Sequence, residues 1–196
     1  MPKSKIRVNP LIYPMPVVLI GANIRSKPNF MPLAWICMAE HEPPMILISS
    51  SNSHYTNEGI IENKTFSVNT PSETMIKATD YCGLHSGKNQ NKSEIFEIFF
   101  GDLKTAPMIM QAPLNLECEV VKILNTNELI DSDKKGHNIF IGKIVNAYAD
   151  EKYLTNGVPD LAKMKPFTLT QNDNFYWKMG EKAGKAWSIG KNYLNV

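Results

Sequence analysis

Apolar residues along the chain fall in short runs rather than at helical spacing. Residues 17–22, Val-Val-Leu-Ile-Gly-Ala, are β-branched-rich and bounded by Pro16 and Asn23, which predicts a buried strand. Residues 29–39 lead into His41-Glu42-Pro43-Pro44, where paired prolines enforce a turn, and residues 45–49 return as a second buried strand. A connection this tight predicts antiparallel pairing. The stretch from Ser49 to Thr56 is then abruptly polar and reads as a hydroxyl-rich loop, followed by a short helix over 57–63 and a strand over 65–69. A second helix is predicted from Pro71-Ser72, with Ser72 as N-cap and Met75, Ile76 and Thr79 on one face. Residues 86–93 read as a polar loop, and 94–100 fit helix or strand equally. Residues 114–124 alternate apolar and polar at their start, the pattern of a half-exposed strand, with 137–149 as its partner and 125–136 as the hairpin loop. Several strands, few and short helices and no β-α-β rhythm predict a mainly β barrel with helical insertions.

Composition narrows the class. At 196 residues and 43% hydrophobic content, the chain can bury a core without staples. Residues 1–150 are expected to form the barrel domain, and 151–196 a C-terminal extension packing on the barrel or on a partner subunit. Lys and Arg total 21 against 19 acids, a net charge of +2, with Arg7 and Arg25 the only arginines. That balance gives no broad basic footprint for nucleic acid or an anionic membrane. Cys37, Cys82 and Cys118 are odd in number and widely spaced, which argues against disulfides, zinc sites and dithiol redox motifs. Pro10, Pro14 and Pro16 interrupt the apolar start, and no window reaches the ~20 apolar residues of a membrane helix. A soluble, cytoplasmic protein is the expectation. Neither G-x-G-x-x-G nor a phosphate loop of the G-x-x-x-x-G-K-[ST] form occurs.

The polar residues suggest a ligand rather than a nucleophile. Ser49, Ser50, Ser51, Ser53 and Thr56 lie between a strand and a helix start, where hydroxyls and helix N–H groups can converge on a phosphate. Lys92, in a polar loop, can reach an anion as a point charge. Trp35 could wall a slot for a flat ring, Asn29 could meet a heterocycle edge, and His137 could hydrogen-bond a ligand from the mouth of a strand. A Ser-rich surface loop, a core tryptophan and a water-facing lysine are the competing structural readings. No His, Cys or carboxylate set has metal-ligand spacing, and no catalytic side chain is singled out.

In order along the chain, Ala34-Trp35, Glu42-Pro43-Pro44, the strand into Ser49–Thr56, Phe66-Ser67-Val68-Asn69, Cys82-Gly83-Leu84-His85-Ser86-Gly87 and His137–Val145 make a recognisable set. This set resembles the flavin reductase-like FMN-binding proteins, most closely their flavoredoxin branch, over about residues 10–150, with a weaker echo at Lys165-Pro166-Phe167 and Tyr176-Trp177. The resemblance implies a Greek-key antiparallel FMN-binding split barrel, a homodimer, and flavin-mediated electron transfer with NAD(P)H or a redox protein as donor. Carried over by position, Ser49, Ser50, Ser51, Thr56 and Lys92 would hold the FMN phosphate, and Asn29, Trp35, His137 and Phe167 would line the flavin. Met31-Pro32-Leu33 and Ile36 depart from the smaller or hydroxylated residues of many relatives, a difference that bears on NAD(P)H use rather than on FMN binding. A non-catalytic FMN-binding module or flavin store shares every one of these features.

Overall fold

In the computed structural model, which describes residues 3–129, 136–191 and 193, the strand pattern read from the sequence is realised as an antiparallel sheet that folds over on itself. The chain enters through β1 (Met15–Pro16), then β2 (Val18–Ile24) and β3 (Lys27–Leu33), a hairpin closed by Arg25 and Ser26. Ala34 and Trp35 carry it into β4 (Ile36–Glu40), which turns through the two prolines into β5 (Met45–Ser51). Helix α1 (Thr56–Asn63) and β6 (Thr65–Thr70) follow, then a 3-10 turn and α2 (Ile76–Leu84). A short ribbon, β7 (Ile98–Phe99) with β8 (Met108–Ile109), precedes the long strands β9 (Leu114–Asn125) and β10 (His137–Ala149). Beyond them come a second ribbon, β11 (Leu154–Thr155) with β12 (Val158–Pro159), one turn of helix α3 (Leu161–Met164), and a final hairpin, β13 (Phe167–Thr170) and β14 (Phe175–Lys178).

The main sheet has the order β3-β2-β6-β9-β10-β5-β4. Its two outermost strands are consecutive in sequence, separated only by Ala34-Trp35, so the sheet must bend round for the chain to pass from one edge to the other. Side chains confirm the bend. Met31 and Leu33 of β3 share one core with Ile46 and Ile48 of β5, Phe66 of β6 and Phe140 of β10. Burying each of these large apolar groups stabilises the fold by about 1.5–3 kcal/mol. The result is an antiparallel split barrel, mainly β, with helices inserted at its rim, as the sequence pattern predicts.

A second core joins the opposite face of the β2–β3 hairpin to the helical insertion: Leu19 and Phe30 pack with Met75, Cys82, Ile109 and Ala112. Helix α1 lies against β2 at Gly59, where an added Cβ would fall 2.2 Å from the Asn23 carbonyl oxygen. These contacts bring the start of α1 and the segment after α2 to the same end of β3.

Several local expectations need correcting. The hydroxyl stretch is not all loop: β5 continues through Ser51, because Ser49, Ser50 and Ser51 pair with Ile139, Asn138 and His137 of β10. Trp35 lies between β3 and β4 and is exposed, not a core tryptophan. Ser72 precedes a 3-10 turn, Glu73–Met75, without capping it, and its hydroxyl bonds Thr74 instead, so α2 begins only at Ile76. Lys92 belongs to a 3-10 turn, Lys92–Ile95, and is buried. The ambiguous 94–100 stretch divides between that turn and β7. Of the expected hairpin loop at 125–136, residues 130–135, with Asp131 and Asp133, lie outside the described residues. After residue 150 the chain returns to the barrel: β13 pairs with β1, and Tyr176 donates a hydrogen bond to Asp80 on α2.

Candidate functional site

At the end of β3 a cleft of about 280 Å³ opens between the start of α1 and the segment from Cys82 to Lys92. Asn29 and Thr56 form its floor. Both are buried, and the Asn29 amide Nδ2 donates to Thr56 Oγ1 at 2.8 Å, which leaves the threonine hydroxyl hydrogen available. A continuous polar connection therefore runs between two elements 27 positions apart.

Lys92 also lines this cleft, and its environment is unusual for a lysine. Only 4% of its surface is exposed, and Nζ donates to the Cys82 carbonyl at 2.8 Å. Among the described residues no carboxylate lies in salt-bridge range of it. Desolvation accordingly holds its pKa below the ordinary lysine value. An ammonium carries three N–H donors, so further bonds remain to be made. A buried cation without a counter-charge is costly in an empty site and favourable once an anion pairs with it.

His54, which no sequence signal singles out, rims the same cleft. Its Nδ1 lies 3.0 Å from Ser50 Oγ, and its pKa is depressed by desolvation and by the proximity of His137 and Lys92. The contact arises because β5 ends at Ser51 and the next three residues turn back, with the His54 N–H bonding the Ser51 carbonyl. Only a reading that places the strand's end at Ser51 would reveal it. Ser53 completes the rim, its hydroxyl 3.0 Å from that of Ser51. Ammonium, imidazole and hydroxyls with spare donors suit a phosphate better than any neutral group.

The three serines of β5 separate because successive side chains of a strand face opposite ways. Ser50 points inward and is fully buried, with its hydroxyl also 3.7 Å from Met31 Sδ. Ser49 and Ser51 are half-buried on the other face, beside an aromatic pair. Trp35 and His137 stack there with ring centroids 4.9 Å apart and planes inclined by 19°. The Ser49 N–H bonds the Trp35 carbonyl, and the indole Nε1 donates to Gln171 from the C-terminal segment. Asn29, Thr56 and Lys92 thus meet at one cleft, while Trp35, His137, Ser49 and Ser51 meet on the adjoining outer face. Phe167 joins neither group; it is buried on β13 and meets Tyr176 edge-on at 5.3 Å.

Past Asn29, Tyr55 and Gly87 the cleft continues into a second of about 340 Å³, and the two together lie within the range of roughly 300–1,000 Å³ typical of small-molecule sites. The chain matches the flavin reductase like domain over residues 11–166. It belongs to the flavin reductase-like family. Among solved structures of this family, flavoredoxin from Methanosarcina acetivorans is 48% identical and superposes with a TM-score of 0.89, covering 97% of this chain and all of its own. Flavoredoxin of Desulfovibrio vulgaris (Miyazaki F) is 30% identical with a TM-score of 0.86, covering 96% of this chain and all of its own. Component B of nitrilotriacetate monooxygenase from Bacillus cereus, 18% identical with a TM-score of 0.82 over 94% of this chain and all of its own, shares the fold. An uncharacterised protein of Archaeoglobus fulgidus is 28% identical over 76% of this chain and 80% of its own length. As a flavin reductase-like protein, the chain is built to take a flavin, and its donor set fits a phosphorylated one. Among the described residues no helix is long and apolar enough to cross a membrane.

Proposed function

We propose that this flavoprotein binds FMN and works as an electron-transferring oxidoreductase of the flavoredoxin type. The observation that carries the proposal is Lys92, a buried ammonium whose surroundings among the described residues supply no anion. The phosphate of FMN would pair with Lys92 Nζ, take the spare hydroxyl hydrogen of Thr56, and be met at the rim by Ser53 and His54. Asn29 would then stand at the start of the remaining path, its amide already oriented by Thr56. The stacked Trp35 and His137 offer a flat aromatic surface on the adjoining face. Bound FMN would supply reversible one- and two-electron chemistry to the site. The residues themselves need only hold the ligand, exclude water from its charged end and keep that end neutralised.

In this reading NAD(P)H or a redox protein is the electron donor, and the working unit is a homodimer in the cytoplasm. Identity to the two flavoredoxins supports the assignment, as does the apolar surface beside Trp35, a groove of about 560 Å³ roofed by the segment from Asn9 to Pro16. The test is an absorbance spectrum of the purified protein between about 300 and 550 nm, before and after anaerobic NADH or NADPH. Flavin bands that bleach establish a nicotinamide-reducible flavoprotein. Bands that persist with both nucleotides, yet bleach with a reduced electron-transfer protein, place the donor among redox proteins. Bands that resist all donors mark a flavin store, and no bands after incubation with FMN refute the assignment.

A further inference from the structure

Ser50 stands behind the wall of the Lys92 cleft rather than in it. The residue is fully buried on the inward face of β5, yet its hydroxyl has two neighbours, His54 Nδ1 at 3.0 Å and Met31 Sδ at 3.7 Å. His54 and Met31 both line the cleft and Ser50 does not, so the hydroxyl reaches the site only through them. With Nδ1 turned to Ser50, and no partner for Nε2 among the described residues, Nε2 is the ring nitrogen left to meet a ligand.

A hydroxyl has one hydrogen to donate, and at 0% exposure Ser50 shares it with no solvent. The Met31 sulfur can only accept, whereas a neutral imidazole either donates or accepts at Nδ1. When the ring is neutral and Ser50 donates to Nδ1, the ring hydrogen must sit on Nε2. When a proton from solvent adds at Nδ1, that nitrogen becomes a donor to Ser50 Oγ, and the hydroxyl hydrogen turns to Met31 Sδ. Nε2 keeps its hydrogen throughout. Without Met31, the protonated arrangement would leave a buried hydroxyl hydrogen unpaired, and without Ser50, Nδ1 would lose its partner in both arrangements. A third arrangement, with the hydrogen on Nδ1 alone, spends the hydroxyl on a weak sulfur acceptor and turns a lone pair toward the ligand, so a bound anion selects against it.

Lys92 of the 3-10 turn and His137 of β10 act electrostatically on His54; Tyr55, Cys82 and His85 line the same cleft, and among the described residues no carboxylate does. An acceptor nitrogen facing a phosphate in such a site would be a liability, and a fixed donor an asset. We propose that Ser50 is a positioning residue: its hydroxyl hydrogen goes to His54 Nδ1 while the ring is neutral and to Met31 Sδ once the ring is protonated, so that Nε2 presents a hydrogen to the FMN phosphate in both states. This inference rests on the placement of that phosphate beside Lys92 and His54, and deepens it. Ser50 serves the phosphate through His54, not by the direct contact that its place in the serine run suggests.

The experiment has two readouts on the full chain. In the first, the His54 ring is titrated by NMR in the apoprotein, with His85 of the same cleft as internal control. Met31→Leu conserves volume and removes the sulfur acceptor. The expected result is a His54 pKa lower by about 0.4 units or more in Met31→Leu, with His85 unmoved, because the protonated ring then leaves the Ser50 hydroxyl unpaired. A His54 value within about 0.2 units of the natural protein's overturns the proposal, as does an equal shift of both histidines. In the second, FMN binding is followed by flavin fluorescence for Ser50→Ala, His54→Gln and the double variant. Ser50→Ala should weaken FMN by about tenfold in the natural background and by less than about threefold beside His54→Gln. Equal losses in the two backgrounds mean that Ser50 acts on the fold and not through His54, which also overturns the proposal. Absence of FMN binding in the natural protein refutes the FMN assignment itself, while the His54 titration, made without ligand, still upholds or overturns the Ser50 switch.

Discussion

Replacing Lys92 by methionine keeps the length of the side chain and removes its charge, which separates the role of the ammonium in the empty protein from its role with ligand. In the empty protein, Lys92 is 4% exposed with one hydrogen bond, to the Cys82 carbonyl, and no carboxylate partner among the described residues. Exchanging buried ionic groups for apolar ones of similar volume is often neutral or stabilising by about 1–4 kcal/mol. Against that stands one hydrogen bond to a charged group, about 1.5–3 kcal/mol. The two nearly offset, so Lys92→Met should leave the unfolding free energy of the apoprotein within about 2 kcal/mol of the natural protein's, in either direction. Binding moves the other way. Removing one partner of a buried charge pair costs about 2–5 kcal/mol, a weakening of FMN by roughly 30-fold to several thousandfold. Fluorescence titration gives the second quantity and denaturant unfolding of the apoprotein the first. FMN affinity within about threefold of the natural protein would show that the phosphate does not sit at Lys92.

Further expectations follow from the same geometry. Because the Lys92 pKa is depressed in the empty protein, FMN affinity should fall as pH rises through that lowered value toward the ordinary 10.5, and Lys92→Met should abolish the dependence. His54 is also depressed, so below its ordinary 6.5 the unfolded chain binds more protons than the native one; apoprotein stability should decline as pH falls below that value, and less steeply in His54→Gln, as urea unfolding at several pH values would show. Gly87→Ala forces Asn29 away from Thr56 and should weaken FMN by about tenfold or more, whereas unchanged affinity would mean that Asn29 takes no part in binding. Glu117, fully buried, accepts hydrogen bonds from the Asp102 and Leu103 N–H groups, Asn146 and Tyr148; Glu117→Gln turns an amide toward these donors and should cost about 2–4 kcal/mol of stability without changing FMN affinity.

The strands were accessible to pattern because their apolar residues are local: the run at 17–22 and the alternation from Leu114 need nothing beyond neighbouring positions. The turn at Pro43-Pro44 is equally local. Lys92 was not, since nothing around it in sequence tells a loop lysine from a buried one; its burial depends on Cys82 and on a 3-10 turn that follows a polar stretch. Asn29 reads as a loop residue until Thr56, far along the chain, is seen to fix its amide. His54 needs the exact end of β5, a boundary that the serine run obscures because serine favours loops and here pairs in a strand. What hides these three is tertiary placement: burial for Lys92, a partner 27 positions away for Asn29, and a strand end for His54.

The long-range contacts around Trp35 bear on how the protein assembles. Ser51 pairs with His137, Trp35 with Gln171, and β1 with β13, so the aromatic face joins segments far apart in the chain. Closing such long loops is entropically expensive and comes late in assembly. Early folding can proceed through the β2–β3 and β4–β5 hairpins, whose contacts are short-range and apolar. The aromatic face is therefore among the last features to form, and if it meets the flavin as proposed, cofactor added during refolding should raise the yield by trapping the finished molecule rather than by speeding its formation.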